Sequence, residues 1–201
     1  ALTRYDTRFL HAPAHHAALS ALQDRHAALA PTVRLVRRWF GAQLLLGHVG
    51  PETLDLLCAA VFLTNAHAVP ATGLHGFVRV LTLLAHWDWR EVPLLLPLEN
   101  ATRLAHQRKA ALSDGGVSAL PSERAPTFPA AQRADAEQHF RAMRARDPAY
   151  RHYTWVVATE HDTDAKAWMH AAPSAMVADG VRQLARRAAL ALSLIHISEP
   201  T

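Results

Sequence analysis

The sequence predicts an α+β protein in which a helical bundle precedes a small α/β layered domain. Four segments of the first half carry apolar residues at the three- and four-residue spacing of amphipathic helices. After residue 90, short apolar segments alternate with helical ones, which is typical of a layered unit. Half of the 201 residues are hydrophobic, which is enough for a folded core. The sequence shows no run of eighteen apolar residues and no charged-then-apolar leader, so it predicts neither a membrane span nor a secretory signal.

The first ninety residues are predicted to hold four helices. The first covers residues 15–30, where alanine and leucine dominate. The second begins at Pro31, since proline is favoured in the first turn, and runs for about four turns towards Gly47. The third opens at Pro51, and the fourth runs from about Leu74 to His86. We assign residues 1–90 to this bundle.

Residues 91–191 are predicted to form the small α/β domain. Its elements are an edge strand, a charged helix, a second strand and an amphipathic helix, in the order 91–98, 135–146, 153–158 and 173–191. The first is an edge strand because its two prolines cannot donate hydrogen bonds to a neighbour. Residues 113–129 are rich in glycine, serine and proline, which predicts a mobile insertion.

The two ends of the chain carry separate expectations. Residues 192–201 (LSLIHISEPT) resemble a translated sequencing adapter read through at the end of a contig, so we predict a non-native tail there. The chain opens without methionine, in what looks like mid-helix sequence, which suggests a fragment of a longer protein.

The predicted second helix carries two apolar stripes and three arginines. The stripes consist of Val33, Val36, Phe40 and Leu44, and of Leu35, Trp39, Ala42 and Leu46, and they predict burial on two sides. A narrow polar edge remains, with Arg34, Arg37 and Arg38. Cations on an otherwise buried helix need a partner, which is either RNA phosphate or a protein carboxylate. The net charge of +4 does not decide between them, since frequent arginine and alanine also follow from a GC-rich genome.

The sequence offers little support for chemistry. Glu160, Asp162 and Asp164 alternate after a predicted strand, as in nucleotidyltransferases that hold two magnesium ions, but no Gly-Ser turn for a triphosphate precedes them. A solvated loop is the better interpretation. The single cysteine, Cys58, lies in an apolar run and is predicted to be buried, and the fourteen histidines are scattered. We therefore predict no catalytic residue, no metal site and no cofactor.

Three blocks of the sequence together resemble the Nrap family of nucleolar RNA-associated proteins. The first is 31–44 (PTVRLVRRWFGAQL), and the second is 76–84 (GFVRVLTLL) followed by 88–90 (DWR) and 93–94 (PL). The third is 156–162 (VVATEHD) with Trp168 and 172–174 (APS). Their order and spacing match the C-terminal region of the family over most of residues 1–191. The sequence departs from the family pattern at His161 and in the long insertion at 113–129.

The resemblance implies both a fold and a function. The first block is also similar to a helix of the helical domains in poly(A) polymerases and oligoadenylate synthetases, so residues 1–90 would be a helical polymerase-like domain. Nrap proteins are regarded as non-catalytic components of the small-subunit processome in the nucleolus of the nucleus. The implied role is a scaffold in pre-rRNA processing and ribosome biogenesis. Its partners would be pre-ribosomal RNA and other processome proteins, with Arg34, Arg37 and Arg38 as candidate RNA contacts.

Two other functions remain open from the sequence. One is an active nucleotidyltransferase whose palm domain lies upstream, which predicts a Gly-Ser turn and paired acids in the parent protein. The other is a protein-binding module in which exposed Trp87, Trp89 or Phe128 docks a partner. Buried tryptophans would argue against the second.

Overall fold

A computed structural model describes residues 12–63, 69–99, 101–104, 107, 126–167 and 172–198, with backbone alone for 193–198. The described residues of its first half form the helices α1 (Ala12–Arg25), α2 (Leu29–Ala42), α3 (Pro51–Leu63) and α4 (Gly73–His86). Its second half contains strand β1 (Leu94–Leu96), helix α5 (Ala130–Arg146), strand β2 (Val157–Thr159) and helix α6 (Ala175–Ser198). The molecule is therefore mainly helical with a small two-stranded sheet, as the α+β prediction requires. No helix in the described ranges is long and apolar enough to cross a membrane.

Helix α2 is buried on one side, so the prediction of burial on two sides is wrong. The buried face consists of Leu29, Thr32, Val36 and Phe40. The helix ends at Ala42 rather than near Gly47, and Leu44 takes a positive φ of 57° that turns the chain away from the helix axis. Consequently Leu44 is 86% exposed and Leu46 is 50% exposed. Of the second stripe, Leu35 and Trp39 are half-buried, whereas Ala42 and Leu46 are exposed.

Helices α2 and α4 approach closely because α4 carries glycine at the contact. A Cβ atom added at Gly76 would lie 2.0 Å from the Thr32 hydroxyl oxygen, and one at Gly73 would lie 2.5 Å from the Pro31 Cβ. The Thr32 hydroxyl donates to the Ala28 carbonyl at 2.8 Å. Helix α2 begins at Leu29, two residues before the predicted start, so Pro31 lies inside its first turn.

One core cluster contains side chains from both halves of the chain. Helix α3 supplies much of it, since every residue from Leu56 to Leu63 is buried. Helix α6 packs along α4 and contributes Val181 and Ala185, and β2 contributes Val157. The division at residue 90 stays a prediction, and the main core includes side chains from both sides of it.

The two strands form a parallel pair in which Leu94 lies opposite Val157 and Leu96 opposite Thr159. Both are shorter than predicted, because Pro93 and Pro97 flank β1 and only three residues of each strand pair. Parallel strands need a crossover connection, and α5 lies within the segment that joins them. This helix begins at Ala130, five residues before the predicted start.

Two predictions fall partly or wholly outside the described residues. The predicted insertion at 113–129 overlaps the described part of the chain only at 126–129. The predicted tail overlaps α6, which continues through Ser198, so residues 192–198 are helical. Its non-native origin remains a prediction.

Candidate nucleic-acid interface

The exposed side of α2 carries two of the three predicted arginines. Arg34 and Arg38 are exposed and lie four residues apart, which places them on the same face about one turn apart. Val36 and Phe40 occupy the opposite, buried face. Neither arginine forms an ion pair with any residue in the described ranges. Within the described residues, both guanidinium groups are thus exposed and lack a carboxylate partner.

Arg37 differs from these two because it already has a carboxylate partner. Its Nη2 donates to both carboxylate oxygens of Asp55 on α3, each at 2.8 Å. Burial raises the pKa of Asp55, and the positive charge of Arg37 opposes that rise. The pair connects α2 to α3 and fits the carboxylate alternative. The structure thus does not bring the three arginines together as one group.

Exposed apolar side chains follow the carboxyl end of α2 in the sequence. Leu44 and Leu46 project here, and Trp39 is partly exposed. Exposed apolar patches beside charged residues are typical of macromolecular contact surfaces. This surface escaped prediction because the spacing of its residues matches that of a buried helix face.

Of the alternating acids after β2, Glu160 and Asp162 accept hydrogen bonds from backbone amides, and Asp164 pairs with a lysine side chain. Both carboxylate oxygens of Asp162 accept hydrogen bonds, from the Lys166 and Ala167 amides at 3.0 Å each. Asp164 forms an ion pair with Lys166. Glu160 accepts a hydrogen bond from the Glu99 amide at 3.1 Å. No group of three potential metal ligands converges within the described residues.

Two of these acids are buried, so the prediction of a solvated loop is wrong for them, whereas His161 between them is exposed and Asp164 is half-buried. Glu160 and Asp162 are 7% and 5% exposed. Burial raises the pKa of Asp162 to about 6, although the amides of Ala167 and Lys166 favour its charged form. The segment forms a turn after β2, and the Asp162 carboxylate accepts hydrogen bonds from its backbone amides. Sequence reasoning could not find this arrangement, because a buried acid that binds amides and an exposed acid have the same local pattern.

A cavity of about 200 Å³ lies at the carboxyl ends of the two strands. Its walls include alanines of α1 and Leu98, and its polar groups come from His15, Glu99, His161 and Asp162. Ligands of α/β sheets bind at this end of the strands. The described residues, however, contain no Gly-Ser turn whose amides could bind a triphosphate. The carboxylate of Asp162 in the cavity wall already accepts a hydrogen bond from the Lys166 amide.

The remaining candidate residues are structural. Trp87 and Trp89 are 8% and 2% exposed, and Phe128 is 6% exposed, so the three aromatic residues proposed for docking a partner are buried. The Trp87 indole donates to the Val92 carbonyl at 2.8 Å. Cys58 is buried as predicted, and burial raises the pKa of its thiol, which disfavours the nucleophilic thiolate.

Arg144 is a structural residue that the sequence analysis missed. From α5 it donates to the backbone carbonyls of Trp89, Arg90, Tyr153 and Thr154. Burial lowers the pKa of its guanidinium. These bonds connect the segment after α4 to the segment before β2. No pattern distinguishes this arginine from its exposed neighbours on a highly charged helix.

Together the fold and these surfaces define a mainly helical α+β domain with a cationic outer helix. The chain belongs to the Nrap family, because residues 26–199 match the Nrap protein PAP/OAS1-like domain 5. It is 28% identical to U3 small nucleolar RNA-associated protein 22 of Schizosaccharomyces pombe over 186 residues, or 92% of the chain. It is 30% identical to Nucleolar protein 6 of Homo sapiens over 192 residues, or 95% of the chain. The matched segments make up only 15% and 14% of these two relatives.

Proposed function

We propose that this chain is a non-catalytic scaffold segment of the small-subunit processome, acting in pre-rRNA processing and ribosome biogenesis in the nucleolus. Its partners are pre-ribosomal RNA and other processome proteins. The names of the relatives support this, since they are described as nucleolar or as associated with U3 small nucleolar RNA. In this proposal the helical part is a polymerase-like helical domain, in agreement with the PAP/OAS1-like description of the family.

The observation that carries the RNA role is the exposed cationic face of α2 formed by Arg34 and Arg38. Arg34 and Arg38 are exposed without a described carboxylate partner, whereas Arg37 binds Asp55. Phosphate contacts by arginine supply affinity without reading sequence, and each one makes binding more sensitive to salt. We therefore assign Arg34 and Arg38 to RNA contact and give Arg37 a smaller part in it. The exposed Leu44 and Leu46 supply a surface for a protein partner.

The non-catalytic part of the proposal rests on the state of the acids. Asp162 accepts hydrogen bonds from two backbone amides, and Asp164 forms an ion pair with the Lys166 side chain. The two carboxylates are therefore not arranged to share metal ions. The alternative is that the chain serves an active nucleotidyltransferase whose palm domain lies upstream. Template-independent nucleotide incorporation by the parent protein would favour that alternative.

A salt titration of RNA affinity tests the α2 face. The Arg34→Gln, Arg38→Gln variant should bind a single-stranded RNA with a salt slope lower by about 1.4, which is about 0.7 for each phosphate that is no longer neutralised. Arg37→Gln is the matched control on the same helix, and its main effect should be a lower unfolding temperature. Equal slopes in wild type and the double variant would refute the assignment. Sedimentation of the tagged parent protein away from precursor ribosomal RNA would refute the processome role.

A further inference from the structure

The carboxyl end of α4 meets two arginines of α6. Arg182 and Arg186 lie one turn apart on α6, and each directs its Nε–H at the same oxygen, the carbonyl of Ala85. The two N···O distances are 3.4 Å and 3.2 Å. The two Nε atoms can therefore be no farther apart than the sum of these distances. Two positive charges converge here on one carbonyl.

Among the described acids, one carboxylate contacts this pair of arginines and offsets only part of its charge. Asp88 is the carboxylate that faces it, with 4.0 Å between its Oδ1 and Nη1 of Arg182. Asp179 lies one turn earlier on α6, but it binds Arg90 at 2.6 Å. Arg186 is exposed and forms no ion pair with a described residue. The pair therefore carries excess positive charge at the surface.

The bonds to Ala85 also orient the two side chains. A helix C-terminus attracts cations, so the Ala85 carbonyl favours both guanidinium groups. Each bond uses the Nε–H, which leaves the Nη atoms of Arg186 without a described acceptor. An arginine held in this way loses less conformational entropy when it binds a second group, and a guanidinium fork matches the oxygens of a phosphate.

We propose that Arg182 and Arg186 form a phosphate-binding site for the backbone of RNA, separate from the exposed face of α2. The site rests on the proposed RNA-binding function and gives it a second point of contact. Because its donors are guanidinium groups fixed by a backbone carbonyl, it contacts phosphate and does not read bases. Arg182 is partly shielded by Asp88, so Arg186 makes the stronger contact.

The test compares three variants of the full 201-residue chain, each binding a uridine oligomer of about 20 nucleotides at several salt concentrations. Arg186→Gln should lower the salt slope by about 0.7, and Arg186→Lys should keep most of the slope with weaker binding. Arg187→Gln is the matched control, since it removes the same charge from the next, exposed position of α6. Thermal unfolding of each variant shows whether it remains folded.

The outcomes separate this site from the proposed function. No salt-dependent RNA binding by wild type would overturn both. A slope that falls in the Arg34→Gln, Arg38→Gln variant but not in Arg186→Gln would overturn only this site. An equal fall in Arg187→Gln would also overturn it, because the convergence on Ala85 would then be irrelevant. The site would likewise be overturned if Arg186→Gln bound a polyglutamate peptide more weakly than wild type but bound RNA equally well. Its partner would then be an acidic protein.

Discussion

Replacing Gly76 by alanine should destabilise the protein, because α2 and α4 touch at this position. The added Cβ would lie 2.0 Å from Thr32 Oγ1 and 3.0 Å from both Cβ and Cγ2 of Thr32. Rotation about χ1 of threonine exchanges Oγ1 for another substituent but leaves its Cβ in place. The clash is therefore relieved only by moving the helices apart.

The expected magnitude is the difference between two effects. Overpacking of a core contact costs about 1–3 kcal/mol, and it also weakens the buried hydrogen bond from Thr32 to Ala28. Alanine in place of glycine inside a helix gains up to about 1 kcal/mol. We expect a net destabilisation of about 1–2 kcal/mol. The unfolding temperature of a protein of this size falls by about 2–4 °C for each kcal/mol.

Gly180 on α6 provides the matched control. A Cβ added there meets no atom within 4 Å, so the same substitution should stabilise the protein by about 0.5–1 kcal/mol. Thermal and urea unfolding of Gly76→Ala, Gly180→Ala and wild type give the comparison. The Thr32→Ala, Gly76→Ala variant should be destabilised by less than the sum of the two single substitutions. A Gly76→Ala variant as stable as Gly180→Ala would refute the argument from close packing.

Two further predictions concern acid and arginine contacts. Because burial raises the pKa of Asp162 from 3.8 to about 6, its contribution to stability is fully present below pH 3.8 and is lost as the pH rises through 6. The free energy of unfolding of the wild type should therefore contain a decrease between pH 3.8 and about 6 that is absent in Asp162→Asn. An unchanged pH dependence in the variant would contradict the raised pKa of Asp162. Arg144→Lys should cost about 2–4 kcal/mol in urea unfolding, since lysine lacks the planar fork that reaches four carbonyls. Arg141→Lys is its exposed control, and an equal destabilisation there would contradict the role of Arg144.

The sequence was sufficient for the elements whose local signals are strong. Pro51 and the Gly73 break marked the starts of α3 and α4: α3 begins at Pro51 as predicted, and α4 begins one residue before its predicted start and ends at His86 as predicted. Membership of the Nrap family was also predictable from the sequence, because three blocks in the family's order are specific together even though each block alone is not. The buried state of Cys58 followed from the apolar run around it.

Tertiary structure decided what depends on contacts between distant segments. The apolar spacing within and after α2 is the same for a covered side chain as for an exposed one, and only the three-dimensional structure shows that Leu44 and Leu46 lie at the surface. Arg37 found a carboxylate eighteen residues away, while Arg34 and Arg38 have none among the described residues. Arg182 and Arg186 meet a carbonyl 97 and 101 residues earlier. Helical periodicity fixes which residues share a face, but the partner of that face is set by the packing of the whole chain.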